Sequence, residues 1–308
     1  MDAAIFDPFS GKPDISPNTR KLYMHNLTRL NKGKVIKNLN FLIPPAILEG
    51  LNEIKANTRR TYIIAIVSAL KGRPEAKYRK LYTRYYDELM KLNAELKTNN
   101  TKSAKQEANW MSQEDIIDKC NTLCEIIPEI EGKKKISATE YEQLLHCLIL
   151  SLYVKQAPRR NKDYTEMMVV KQLPSDTKMN YLNVNDWTWT FNNYKTKGTY
   201  NSVSIPVPPE LQDIIKVYLQ HFPCAKEMKK KKPLPCPFLI HQDGRVINTS
   251  TEMTRVLNKI LGGKVGSSML RNIFLTDKYG KVSEEMSDDV AAMGTSLDTA
   301  NNVYIKKE

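Results

Sequence analysis

Histidine is scarce in this sequence, with four in 308 residues, and long apolar runs are absent. The longest, such as Ile63-Ile64-Ala65-Ile66-Val67, fall far short of the ~20 apolar residues a bilayer span needs, so no membrane segment is expected. Met1-Asp2-Ala3-Ala4-Ile5 carries an acid where a secretory signal has a basic stretch, and no signal is expected. Cysteine is sparse and odd in number: Cys120, Cys124, Cys147, Cys224 and Cys236. That count and irregular spacing argue against a disulfide framework. Cys120 and Cys124 lie four apart, but no Cys or His pair at zinc spacing completes a metal site. Reduced thiols in a nuclear or cytoplasmic protein are the expectation. His25, His146, His221 and His241 read as structural or surface residues.

Acidic residues are also in short supply, and unevenly. Residues 1–110 hold 20 Lys and Arg against 10 Asp and Glu; residues 111–308 hold 27 against 24. The whole chain carries a net charge of +13. A solvated basic face is the plain reading of any such run. Concentration of the excess in one third of the chain favours a polyanionic partner, double-stranded DNA first.

The pattern divides the chain in two. Ser16-Pro17 opens a helix, serine as cap and proline in the first turn, with Tyr23, Leu27 and Leu30 on its apolar face. Another helix begins near Thr58, with Ile63, Ile66, Val67 and Leu70 at helical spacing. A third, long helix carries Tyr78, Leu81, Tyr82, Tyr85, Leu89, Leu92 and Leu96 as one stripe. Arg59 and Arg60 near the start of the second, and Arg79, Lys80 and Arg84 off the stripe of the third, are the candidate DNA-binding residues of this part. Residues 97–109 are polar and read as a linker. Trp110-Met111-Ser112-Gln113-Glu114-Asp115 reads as a new helix start. Residues 1–100 are thus expected to be a helical domain and 110–308 a second one.

In that second part Tyr141, Leu144, Leu145, Leu148, Ile149 and Leu152 predict a buried helix. Trp187, Trp189 and Phe191 alternate, as do Val203, Ile205 and Val207, which predicts a β-hairpin with Lys195 and Lys197 at its tip. From Thr251 onward the sequence reads as helices broken at Gly262-Gly263, Gly280 and Gly294. The expected fold class is mainly α with a small antiparallel sheet.

Four features here suit chemistry on a phosphate. Arg159-Arg160 follows the buried helix. Lysines sit on the hairpin tip. Arg271 lies within Met269-Leu270-Arg271-Asn272-Ile273-Phe274-Leu275, where a partly buried guanidinium needs an internal carboxylate or a phosphate. Tyr304 lies near the C-terminus. In this order the residues resemble the tyrosine recombinase (phage-integrase-like) family. Arg160-Asn161-Lys162-Asp163 is similar to its arginine, two residues, acid motif, and Lys195 to its hairpin lysine. Ser268-Met269-Leu270-Arg271 stands where the family has His-x-x-Arg. Met293-Gly294-Thr295-Ser296 stands where it has a Leu-Gly-His-Ser turn, with Tyr304 ten residues after Gly294. The resemblance covers residues 110–307; the basic helices of 16–97 resemble the family's core-binding (SAM-like) domain more loosely.

The resemblance implies a two-domain clamp on DNA, of viral or mobile-element type. It implies a metal- and cofactor-independent integrase that cuts and rejoins strands through a 3′-phosphotyrosine, acting as a dimer or tetramer. Arg160 and Arg271 would hold the non-bridging oxygens, Lys195 would protonate the leaving 5′-oxygen, Ser268 and Thr295 would hydrogen-bond the phosphate, and Tyr304 would attack. The family's histidines are missing: Ser268, Thr295 and Asn272 occupy positions where it commonly has one. Two alternatives stay open. A type IB topoisomerase uses the same chemistry, and Ile305–Glu308 is too short for the C-terminal helix that recombinases often exchange. A DNA-binding relative with weakened catalysis would also lack the histidines.

Overall fold

The structure is a computed structural model that describes residues 6–12, 14–97, 101–175, 177–195, 201–231, 233–294 and 300. The chain divides into two compact units, Met1–Thr101 and Lys102–Glu308, each with its own core.

The first unit is helical: α1 (Pro17–Leu30), α2 (Pro45–Asn52), α3 (Ala56–Leu70) and α4 (Ala76–Lys97). The Ser16 hydroxyl accepts from the Thr19 amide and Pro17 takes the first helical position, so α1 begins where the sequence places it. On α4 the stripe Tyr78, Leu81, Tyr85, Leu89 and Leu92 is buried against α3 and its neighbours. Two of its hydroxyls satisfy backbone groups of the preceding loop: the Leu39 amide donates to Tyr78, and Tyr85 donates to the Leu42 carbonyl. The short α2 carries no cap residue and was not evident in the pattern.

The second unit continues with α5 (Ala104–Glu107), α6 (Gln113–Cys124), α7 (Ile126–Ile130), α8 (Ala138–Val154), α9 (Asn161–Thr165) and β1 (Met167–Val170). Then come β2 (Asn180–Asn183), β3 (Thr188–Phe191), β4 (Val203–Pro206), α10 (Pro209–His221), α11 (Ala225–Met228) and β5 (Cys236–Pro237). It ends in α12 (Ser250–Leu261) and α13 (Ser267–Ala292). Reciprocal capping boxes start α6, at Ser112 and Asp115, and α8, at Ser137 and Glu140. α8 is buried nearly all round, from Tyr141 to Tyr153. The sheet packs on it with Trp189 and Phe191 fully covered.

Three expectations need correction. The sheet, in order β4-β3-β2-β1-β5, is mixed rather than antiparallel, because β1 and β2 run parallel. A four-residue strand is only about 13 Å long at 3.3 Å per residue, so residues 171–179 suffice to run back and start β2 in the same direction. Within residues 97–109 the boundary of the two units falls between Thr101 and Lys102, and α5 follows it, with Ser103 and Gln106 forming its capping box. Gly280 does not break a helix: α13 runs through it. One glycine costs about 1 kcal/mol against alanine, too little to interrupt a helix whose first turns are anchored by buried Met269, Leu270 and Ile273. Gly262, with φ +69°, does end α12. Finally, Cys124 on α6 and Cys147 on α8 are joined by a disulfide, while Cys120, Cys224 and Cys236 are free. Spacing along the chain carries no information on which helix faces meet.

Two buried tyrosines hold the segment after β5. Tyr218 of α10 donates to the Phe238 carbonyl at 2.9 Å and accepts from the Ile240 amide at 3.1 Å. Tyr141 of α8 donates to the Ile240 carbonyl at 2.8 Å. Tyr218→Phe is expected to cost roughly 1–3 kcal/mol, because it strands buried backbone groups without leaving a large cavity. A urea-unfolding midpoint equal to that of the parent chain would contradict this.

Candidate active site

α8 ends at Val154, and the chain turns through buried Pro158 into Arg159 and Arg160. Arg160 is the N-cap residue of α9, so its extended backbone (φ −76°, ψ 149°) turns the chain just as the arginines emerge. The turn is fixed from below by Asn161. Its side chain accepts from the Tyr153 hydroxyl at 2.7 Å and donates to the Ser250 carbonyl and the Thr254 hydroxyl of α12 at 3.0 and 2.9 Å.

The Arg159 guanidinium is ion-paired to Asp163, Nε to Oδ2 at 2.9 Å, and lies 3.6 Å from the centroid of the Phe191 ring. The Tyr194 ring is 5.4 Å away. Salt bridge and ring stacking together give this arginine one orientation. Asp163 is buried, and its Oδ1 has no partner. Burial pushes its carboxyl above the usual carboxylate range, against the pull of Arg159 and Arg160.

Arg271 reaches the same place from the second turn of α13. A pocket of about 300 Å³ is lined by Pro158, Arg159, Arg160, Asp163, Tyr194, Val203 and Arg271. Burial lowers the Arg271 pKa, and repulsion from Arg160 and Arg159 adds to it, with Asp163 opposing. Three guanidiniums thus face at most one carboxylate charge. The pocket is net positive whichever state Asp163 takes, and forked donors on separate elements suit a tetrahedral anion.

The hairpin wall is tied to the arginine turn by buried asparagines. Asn180 of β2 donates to the carbonyls of Asp163 and Asn193, at 2.9 and 3.0 Å, and its Oδ1 accepts from the amides of Asn192 and Asn193. Asn193 in turn donates to Glu166 at 2.9 Å. These asparagines, together with Arg159, are the site residues that sequence reasoning missed or ranked second. A polar residue in a strand gives no sign of which backbone groups it will meet.

The other candidate residues are placed as follows. Lys195 is exposed, next to Tyr194 but not among the pocket's lining residues. Ser268 is exposed in the first turn of α13 and does not line the pocket either. Lys197, Thr295 and Tyr304 lie outside the described residues. In the first unit Arg79, Lys80 and Arg84 are exposed on α4. Arg59 lies within 4.0 Å of Glu88 and 3.9 Å of Glu95 and donates to Asn52. Arg60 donates to Asn93 at 2.5 Å.

Compared with protein-family models, with curated proteins and with solved structures, the chain matches none. Among the described residues no cluster of His, Cys, Asp or Glu is arranged to hold a metal ion, and no helix is long and apolar enough to cross a membrane.

Proposed function

We propose that the chain cuts and rejoins DNA as a tyrosine recombinase does, with the pocket of Arg159, Arg160 and Arg271 as its phosphate site. The observation that carries this reading is the meeting of Arg160 and Arg271, far apart in sequence, in one positive pocket. Attack on a phosphodiester develops negative charge on the non-bridging oxygens, which fixed guanidiniums stabilise. The Tyr304 oxygen would attack phosphorus, its proton passing to water, the P–O5′ bond would break, and the 5′-oxygen would leave with a proton from Lys195 beside Tyr194. The tyrosyl phosphodiester conserves the bond energy, so a 5′-hydroxyl can reverse the step. The two units would close on the duplex, with Arg79, Lys80 and Arg84 on the backbone.

A second reading, a DNA-binding relative with weakened catalysis, is favoured by Ser268 and Thr295 at positions where an imidazole would move protons. A suicide duplex that traps the cleaved strand, followed by peptide mapping of the adduct, separates the two: an adduct on Tyr304 supports the enzyme, and binding without any adduct supports the relative. Relaxation of a plasmid by single copies, without synapsis of two sites, would point to the topoisomerase instead.

Non-covalent affinity for duplex DNA is expected to fall steeply with salt, with a log–log slope of roughly −0.9 per phosphate neutralised. Lys80→Glu with Arg84→Glu should make that slope shallower, whereas Arg59→Gln should lower the unfolding midpoint instead. An affinity independent of salt would remove DNA as the partner.

A further inference from the structure

α13 is anchored at both ends and exposed between them. Met269, Leu270 and Ile273 at one end and Val290 at the other are buried, but Leu275, Tyr279 and Val282 are 51%, 48% and 60% exposed. With half-buried Met286 they follow one another at intervals of four, three and four residues. That alternation of four and three keeps them in one seam along the helix, the pattern by which two helices pack side by side. Three exposed apolar side chains of this size in one row, with half-buried Met286 continuing it, mark an interaction surface rather than scattered surface residues.

Charge along the same helix says what fits. The half nearer the site carries Lys278 and Lys281 against one acid, Asp277; the far half carries only acids, Glu284, Glu285, Asp288 and Asp289. A parallel copy would lay acids against acids. An antiparallel copy lays the basic half on the acidic one. In that register Leu275 meets Met286 of a second copy, Tyr279 meets Val282, and the two-fold axis repeats both layers. Lys278, just before Tyr279, then flanks Glu285, just before Met286, once on each side of the axis. One shift satisfies the apolar layers and the ion pairs together.

We infer that residues 275–286 of α13 form a self-association surface, on which a second copy of this chain pairs through its own α13 in antiparallel orientation. The inference is independent of the DNA reading, since it uses no residue of the pocket. Four layers bury less than a stable dimer requires, so the pair forms at high protein concentration or when two copies share one ligand.

Sedimentation of the full chain over a range of concentrations is the first test. The chain is expected to pass reversibly from monomer to dimer. Lys278→Glu should weaken the dimer by about tenfold, because two attractive flanking pairs become repulsive. Lys278→Glu with Glu285→Lys in the same chain should restore it. Orientation is read by crosslinking in a Cys224→Ser background. Leu275→Cys and Met286→Cys should not link to themselves but should link to each other when mixed; self-linking of each would mean parallel pairing and overturn the proposal. A chain that stays monomeric at its highest soluble concentration would overturn it as well. So would a Val282→Asp chain that still dimerises, which would place the contact elsewhere. A Val282→Asp chain that unfolds at lower temperature without any change in association would mean that the chain's own residues cover the seam, with the same consequence.

Discussion

A Tyr304→Phe chain is expected to form no covalent adduct with a suicide duplex while binding the same duplex with nearly unchanged affinity. The substitution removes one oxygen, which is the nucleophile of the proposed reaction, and leaves the ring and the charge of the chain as they were. No smaller change separates chemistry from binding. An adduct that persists in Tyr304→Phe would remove the proposal's central residue. Tyr279 would be the next to test, because its ring is half exposed. Tyr218 would not: it is fully buried, both its donor and acceptor capacity are in use, and burial pushes its hydroxyl up to about 12.

Arg271→Ala is expected to slow cleavage by about 10²–10³-fold, the usual loss when one fixed donor to a developing oxyanion is removed. DNA affinity should fall by less, since Arg159 and Arg160 still line the pocket. Arg160→Ala should behave alike. Arg159→Ala should add a loss of stability, because it leaves buried Asp163 without its ion-pair partner and uncovers Phe191. Single-turnover cleavage with saturating enzyme distinguishes a slower step from weaker binding. If Arg271→Ala cleaves at the parent rate, the pocket is not where the phosphate reacts.

Much of this was legible along the chain because it is decided locally. Ser16-Pro17, Ser112 with Asp115, and the stripe of α4 fix helices through groups within a few residues of one another. The hairpin of β3 and β4 follows from alternation alone, with Trp189 opposite Ile205 and Phe191 opposite Val203. What was not legible depends on groups distant in sequence. The parallel pairing of β1 with β2, the joining of Cys124 to Cys147 and the engagement of Arg59 by Glu88 and Glu95 are all of that kind. Arg159 illustrates the limit most sharply. The motif spacing singles out Arg160, yet it is Arg159 that holds Asp163, because only the folded turn brings Phe191 and Tyr194 beneath its guanidinium.

The Asn180 amide has a mechanical consequence. One side chain grips the end of α9 through Asp163 and the rising arm of the hairpin through Asn192 and Asn193. The arm that leads to Lys195 and the turn that carries Arg159 and Arg160 therefore cannot drift apart without breaking buried hydrogen bonds. A load on Asn192 or Asn193 therefore falls on the same amide that holds the Asp163 carbonyl beneath the arginines, as on a shared hinge pin.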